Sequence, residues 1–163
     1  QGLQDACRML AAGDEAEAKA LLGARGITHV VMPAWDPLAN PAAAAGLLAG
    51  HTTPLAGFHG FFSKLITGGE TPDWLRPYAF PVPPAFGLSV HPLTLYEVRL
   101  NQPAMEAALF RGYYHAERSD WDRAIAQFRQ VLHLDPNNPT ASQWLAELEN
   151  IRTQELTIPK PIP

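Results

Sequence analysis

The chain has 163 residues, of which 47% are hydrophobic and 17% charged, with a formal net charge of -4. That composition belongs to a globular protein with one moderate core or two small ones, not to a disordered chain. No stripe of Lys and Arg appears anywhere, which argues against nucleic acid or an anionic membrane surface as the principal partner.

Leu3 to Ala12 reads as a short helix that Gly13 ends. Asp14 then serves as an N-cap, with Glu17 three residues on completing a capping-box pattern. The helix "EAEAKALLGAR" follows, and Gly26 stands where a left-handed C-cap is wanted. The apolar run Ile27 to Met32 comes next and predicts an interior strand buried on both faces. Pro33, Trp35 and Pro37 stiffen the loop beyond it.

The sixteen prolines are about twice the ordinary share. They crowd between Pro33 and Pro103, remove N–H donors and fix φ, so the middle should be loop-rich. Within it, "NPAAAAGLLAG" predicts a short helix capped by Asn40, and "AGFHGFFSKLITGG" another with an aromatic face at Phe58, Phe61 and Phe62. "TPDWLRPYAFPVPPAF" is too proline-dense for helix or central strand and should lie extended, with Trp74, Tyr78 and Phe80 packed on a neighbour. Phe86, Leu88 and Val90 alternate and predict a further short strand. "LTLYEVRL", Leu93 to Leu100, predicts a half-buried strand in the same sheet as 27–32. Its Tyr96, Val98 and Leu100 face the core, and its Glu97 and Arg99 face solvent.

Beyond the junction Asn101 to Pro103 the pattern is helical. "AMEAALFRGYYHAER" is one helix; Ser119, with Asp122 three later, is expected to cap the next, "WDRAIAQFRQVLHL". Trp121, Ala124, Ile125, Phe128, Val131 and Leu132 form its apolar face. "DPNNP" ends it, and Asn138 with Pro139 starts a third helix with a stripe from Ala141 to Ile151. The fold class expected is α+β. A small α/β module with a short sheet occupies 1–103, an all-α helical hairpin with a capping helix 104–156, and a proline-rich tail 157–163.

On Gly112, Ala124, Phe128 and Pro136, with "SDWDRAIAQF" and "LDPNNP", the segment Met105 to Asn138 resembles a tetratricopeptide repeat. Pro139 to Glu155 resembles the first helix of a next repeat or a capping helix. Small residues at Gly112 and Ala124 would let two antiparallel helices approach while Phe128 fills the groove. The first helix departs from the pattern: Arg111 stands where Leu is usual, Ala108 where a large apolar residue is usual, and His115 where Tyr is usual. The resemblance implies a protein-interaction role, with Glu106 and Tyr113 as candidate partner contacts. A single repeat is short of the three or so that build a free-standing groove, so its spare face is expected to dock against the preceding α/β part, with peptide binding as the alternative.

"MLAAGDEAEAKALLGARGITHVVMP", with the later strand "LTLYEVRL", is similar to the extracytoplasmic part of polytopic membrane glycosyltransferases that use lipid-linked sugar donors. That likeness spans Leu10 to Leu100. It implies a periplasmic or other extracytoplasmic location and a membrane domain before Gln1, on which this piece would rest. The parent chain would then be a glycosyltransferase, but none of the family's donor-binding or catalytic residues carries over. The opening on Gln1, without a signal peptide, is read as the start of a piece cut from a longer protein.

Chemistry is sparse. The histidines at 29, 51, 59, 91, 115 and 133 match no metal-ligand spacing, and solvated loop histidines are the reading for His51, His59 and His91. Cys7 has no partner for a disulfide or a CxxC pair. Ser63 and Ser89 lack a nucleophile-elbow context, and Gly68-Gly69 reads as a turn. Trp35 with Asp36, and Asp73 with Trp74, match a sugar-binding pattern in which an indole stacks on the ring and a carboxylate accepts its hydroxyls. Core packing of the indoles is the alternative. No cofactor or metal is expected. No apolar run reaches the roughly 20 residues that cross a bilayer, so membrane insertion by this piece is not expected. The function expected is a non-catalytic accessory or protein-interaction domain, the alternative being the soluble part of a glycosyltransferase-like enzyme.

Overall fold

A computed structural model describes residues 12–33, 60–66, 70–79 and 93–157. The chain forms two units, Gln1–Leu100 and Asn101–Pro163, and is mixed α+β with a helical C-terminal part. The helix predicted over 3–12 apart from Ala12, the helix over 41–50, the strand at 86–90 and the tail at 157–163 apart from Thr157, which ends the last helix, lie outside the described residues.

In the first unit, helix α1 (Glu15–Ala24) begins on the expected cap. Asp14 Oδ1 accepts the Glu17 N–H at 2.9 Å, and the Glu17 carboxylate reaches back to accept the Gly13 N–H at 2.8 Å. The reciprocal bond lands on Gly13 instead of Asp14, one residue earlier than a standard capping box places it. The far end closes as a full Schellman motif. Gly26 adopts φ +60°, its N–H donates to Gly23 O at 3.1 Å, and the Ile27 N–H donates to Leu22 O at 3.0 Å. Leu22 is fully buried and Ile27 packs on the same core, so the turn fixes the angle at which the chain leaves the helix.

Strands β1 (His29–Pro33), β2 (Leu75–Ala79) and β3 (Leu93–Val98) make an antiparallel sheet in the order β1-β3-β2. The 27–32 run and the 93–100 run therefore share a sheet, but the first is not buried on both faces. β1 is an edge among the described residues, with Val30 and Met32 buried, His29 exposed and Val31 54% exposed. Contiguous apolar letters fit a strand buried on one face as well as one buried on both, and here only alternate side chains enter the core. The centre is β3, whose Tyr96 is buried and whose Val98 packs beside it.

The proline-dense segment supplies the other edge. The Arg99 N–H donates to Trp74 O at 2.8 Å, which makes Trp74 and Arg99 a hydrogen-bonded pair. Counting along the register puts Pro77, opposite Tyr96, at a non-hydrogen-bonded position. Its missing N–H thus faces away from β3, where it costs the ladder nothing and blunts the edge. The core under the sheet is aromatic. Helix α2 (Phe61–Ile66) contributes Phe61, Phe62 and Leu65, and the Phe61 N–H donates to Ala12 O at 2.9 Å.

The second unit contains α3 (Ala104–Glu117), α4 (Trp121–Leu134) and α5 (Pro139–Thr157). Contacts pair Arg111 with Gln127 and His115 with Asp120, then Arg129 with Glu149 and Asp122 with Arg152. Each helix therefore runs antiparallel to the one before it, and α3 and α5 run in the same direction. The predicted face of α4 is the core: Ala124, Ile125, Phe128 and Val131 are buried, with Trp121 and Leu132 packed at the margin. Phe128 meets α3 at Gly112, where an added Cβ would lie 2.9 Å from the ring's Cζ. On α5, Ala141 and Leu148 close the core, and the Asn138 side chain caps the helix by accepting the Ala141 N–H at 3.0 Å. The face of α5 turned away from that core carries Ser142, Gln143, Ala146 and Asn150, all exposed.

The turn between α3 and α4 corrects one expectation. Ser119 is not the cap of α4; Asp120 is, and its side chain makes no capping bond. Ser119 instead completes a Schellman closure of α3, at φ 58°, with its N–H on Ala116 O and the Asp120 N–H on His115 O. A side chain in the left-handed region is strained, and glycine is not. Ser119→Gly is therefore expected to stabilise this unit by about 0.5–1 kcal/mol in urea denaturation followed by circular dichroism. A loss of stability would remove the strain argument.

Candidate interaction surface

Glu106, Phe110, Tyr113 and Glu117 recur at four, three and four residues along α3 and so form one stripe. The sequence candidates Glu106 and Tyr113 thus share a face. Tyr113 is half-buried in a cluster of rings: 5.6 Å from Phe128 edge to face, 5.5 Å from Trp144 of α5, and 6.0 Å from Phe110. Phe128 lies beneath, stacked on Trp144 at 5.8 Å with the planes 8° apart. The result is an aromatic seam between α3 and α5 with a buried floor and half-buried upper rings. Burial pushes the Tyr113 phenol above its ordinary pKa, so it stays a neutral hydroxyl over the working range. Rigid aromatic bodies with polar tips, seated on a packed floor, are what protein interfaces use most at their centres. Trp144 was legible as a core-stripe residue; its meeting with Tyr113 was not, because that requires the placement of α5.

The other candidates divide. Trp35 and Asp36 lie outside the described residues. Asp73 is half-buried in the turn before β2, and Trp74 is 3% exposed. The Trp74 indole stacks on Phe61 at 5.6 Å, and its N–H donates to Glu15 Oε1 at 2.8 Å. So placed, the ring is a core element of the first unit and offers no open face to a sugar.

On the sheet face opposite that core, Glu97 gathers a polar cluster that the sequence did not reveal. It takes an ion pair from Arg99 at 2.6 Å, a hydrogen bond from the Tyr78 hydroxyl at 2.9 Å and one from Arg76 at 3.4 Å. Glu97 is not the solvated residue expected: 16% of its side chain is exposed, and 9% of that of Arg76. Arg99, half exposed, does face solvent. In the second unit, burial holds His115 below its ordinary pKa although Asp120 stands 3.3 Å away.

Among the described residues no group of three His, Cys, Asp or Glu side chains converges as a metal site, and no helix is long and apolar enough to cross a membrane. Comparison with family models, with curated proteins and with solved structures gives no match to this chain. The reading of function therefore rests on the residues themselves.

Proposed function

We propose that this chain is a protein-interaction module, with the Tyr113–Trp144 seam of its helical unit as the docking surface. The supporting observation is the seam: partly buried aromatic rings from two helices, seated on a fully buried Phe128. The polar outer face of α5 agrees with a helix that ends a stack, which leaves the seam as the aromatic surface shared by α3 and α5. The test is affinity capture with the full chain, identification of the retained protein, and titration calorimetry of that pair with wild type and with Trp144→Ala. The substitution is expected to weaken binding by tenfold or more, a loss of at least about 1.4 kcal/mol. Unchanged affinity in a variant of normal helicity would refute the docking role.

A second reading has its own support. The resemblance to the extracytoplasmic part of membrane glycosyltransferases needs "GITHVV" and "LTLYEVRL" to be neighbouring strands after a helix and a glycine. α1, Gly26 and the direct β1–β3 pairing are arranged so. In that reading the first unit is the soluble part of an enzyme acting on lipid-linked sugars, and the seam serves another subunit or the acceptor protein. Reading the gene upstream of Gln1 tests it: several apolar runs of about 20 residues are expected, and a wholly polar upstream region would end it.

A further inference from the structure

Among the described residues the charges that border the seam are of one sign, and the arrangement of the arginines explains why. In the helical unit, Arg111 is buried against Gln127, and Arg118 lies over the Tyr114 ring. Arg123, Arg129 and Arg152 pair with Asp120, Glu149 and Asp122, all along the contact lines of α4. None stands on either stripe that borders the seam. On α3 that stripe is Glu106, Phe110, Tyr113 and Glu117; on α5 it is Thr140, Trp144, Glu147 and Ile151.

α3 and α5 run in the same direction, and Tyr113 touches Trp144, so the two helices are level there. One turn further on, Glu117 lies four residues past Tyr113 and Glu147 three past Trp144, at the same end of the seam. Both are exposed, and neither takes part in an ion pair among the described residues. Among the described residues four arginines are thus held along α4 and Arg118 over the Tyr114 ring, and two carboxylates flank one end of a partly buried aromatic platform.

We infer that the seam receives a basic segment of a partner protein: an apolar or aromatic side chain on the Tyr113–Trp144 platform, followed by Lys or Arg reaching Glu117 and Glu147. This rests on the docking role proposed above and adds the partner's chemistry. Each physical part has its own job. The rings supply the desolvated contact, and the carboxylates select charge and speed encounter, because rim charges act mainly on specificity and association rate.

The test uses the full chain and two labelled synthetic peptides with one central Phe, one flanked by Lys and the other by Glu, followed by fluorescence anisotropy. The Lys peptide is expected to bind at least about tenfold more tightly than the Glu peptide, and to lose most of that preference at raised salt. Glu117→Gln with Glu147→Gln should weaken the Lys peptide several-fold at low salt. Glu149→Gln, whose carboxylate pairs with Arg129 elsewhere on α5, should leave it unchanged. Equal binding of both peptides, no binding of the Lys peptide, or equal losses from Glu149→Gln and the double variant would each overturn the inference. The docking role fails separately, and only if an identified partner ignores Trp144→Ala.

Discussion

Phe128→Ala is expected to destabilise the helical unit by about 3–5 kcal/mol, the usual cost of emptying a buried Phe site. The side chain is fully buried; it fills the space over Gly112, floors the Tyr113–Trp144 seam, and sits among Ala124, Ile125, Val131 and Leu148. A unit of roughly 60 residues has only about 3–9 kcal/mol in total, so the variant should be near its midpoint in water. Slowed-exchange amides of α3 and α4, read by hydrogen-exchange mass spectrometry, should lose protection while β3 keeps its own. Gly112→Ala approaches the same joint from the other side. Its Cβ would lie 2.9–3.0 Å from three atoms of the ring, and overpacking costs about 1–3 kcal/mol against about 1 kcal/mol of helix propensity gained. A net loss of about 1–2 kcal/mol is expected, and Phe128→Leu in the same chain should recover part of it, since a shorter side chain gives the methyl room. If Gly112→Ala proved stabilising, the ring would have space to move and the interlock would not be what joins these helices.

What the sequence disclosed follows from how far each determinant reaches along the chain. Asp14, Gly26 and Asn138 act on backbone groups within about five residues, so their roles could be read locally. The face of α4 was legible because 3.6-residue periodicity distinguishes one stripe from another. Ser119 was misread because two local rules compete for it. The Ser-x-x-Asp pattern marks it as a cap, but the last turn of α3 needs a left-handed residue there first. β1 was misread as buried on both faces because a run of apolar letters does not say which side chains enter the core.

The same limit hid the role of Glu97. Alternation places it on the outer face correctly, but that Arg76 lies directly across from it is a fact of register, fixed by β2–β3 pairing and by no residue near Glu97. The seam is a further instance: Tyr113 was a candidate on its helix, while Trp144 reaches it across a turn and an entire helix. In each case the residue type was visible in the sequence and its partner was not, which is why the charge balance around the seam emerges only when all three helices are placed.

Glu97→Ala should destabilise the first unit by about 2–3 kcal/mol, the largest effect expected of any single polar residue in the sheet. Three donors converge on this carboxylate, and Arg76 is nearly buried. Removing the acceptor takes away charge-assisted bonds and leaves a buried guanidinium short of its counter-charge. Arg99 is half exposed, so its share is small despite the shortest distance. The pH dependence has a definite sign. Burial on its own raises the Glu97 pKa, but bonds from Tyr78 and Arg99 and the charges of Arg99 and Arg76 outweigh it and hold the carboxyl below its ordinary value. The unfolded chain then takes up the proton at higher pH than the folded one. The contribution is therefore complete above the ordinary carboxylate range and is lost as pH falls through the lowered value. Glu97→Gln keeps an acceptor without the charge, and should match wild type at low pH while falling below it near neutrality. Protection of the β2 and β3 amides, followed by hydrogen exchange across that range, is the measurement. Parallel profiles for wild type and Glu97→Gln would mean that the cluster is held by hydrogen bonds alone and that the charge of Glu97 does not pin β2 to β3.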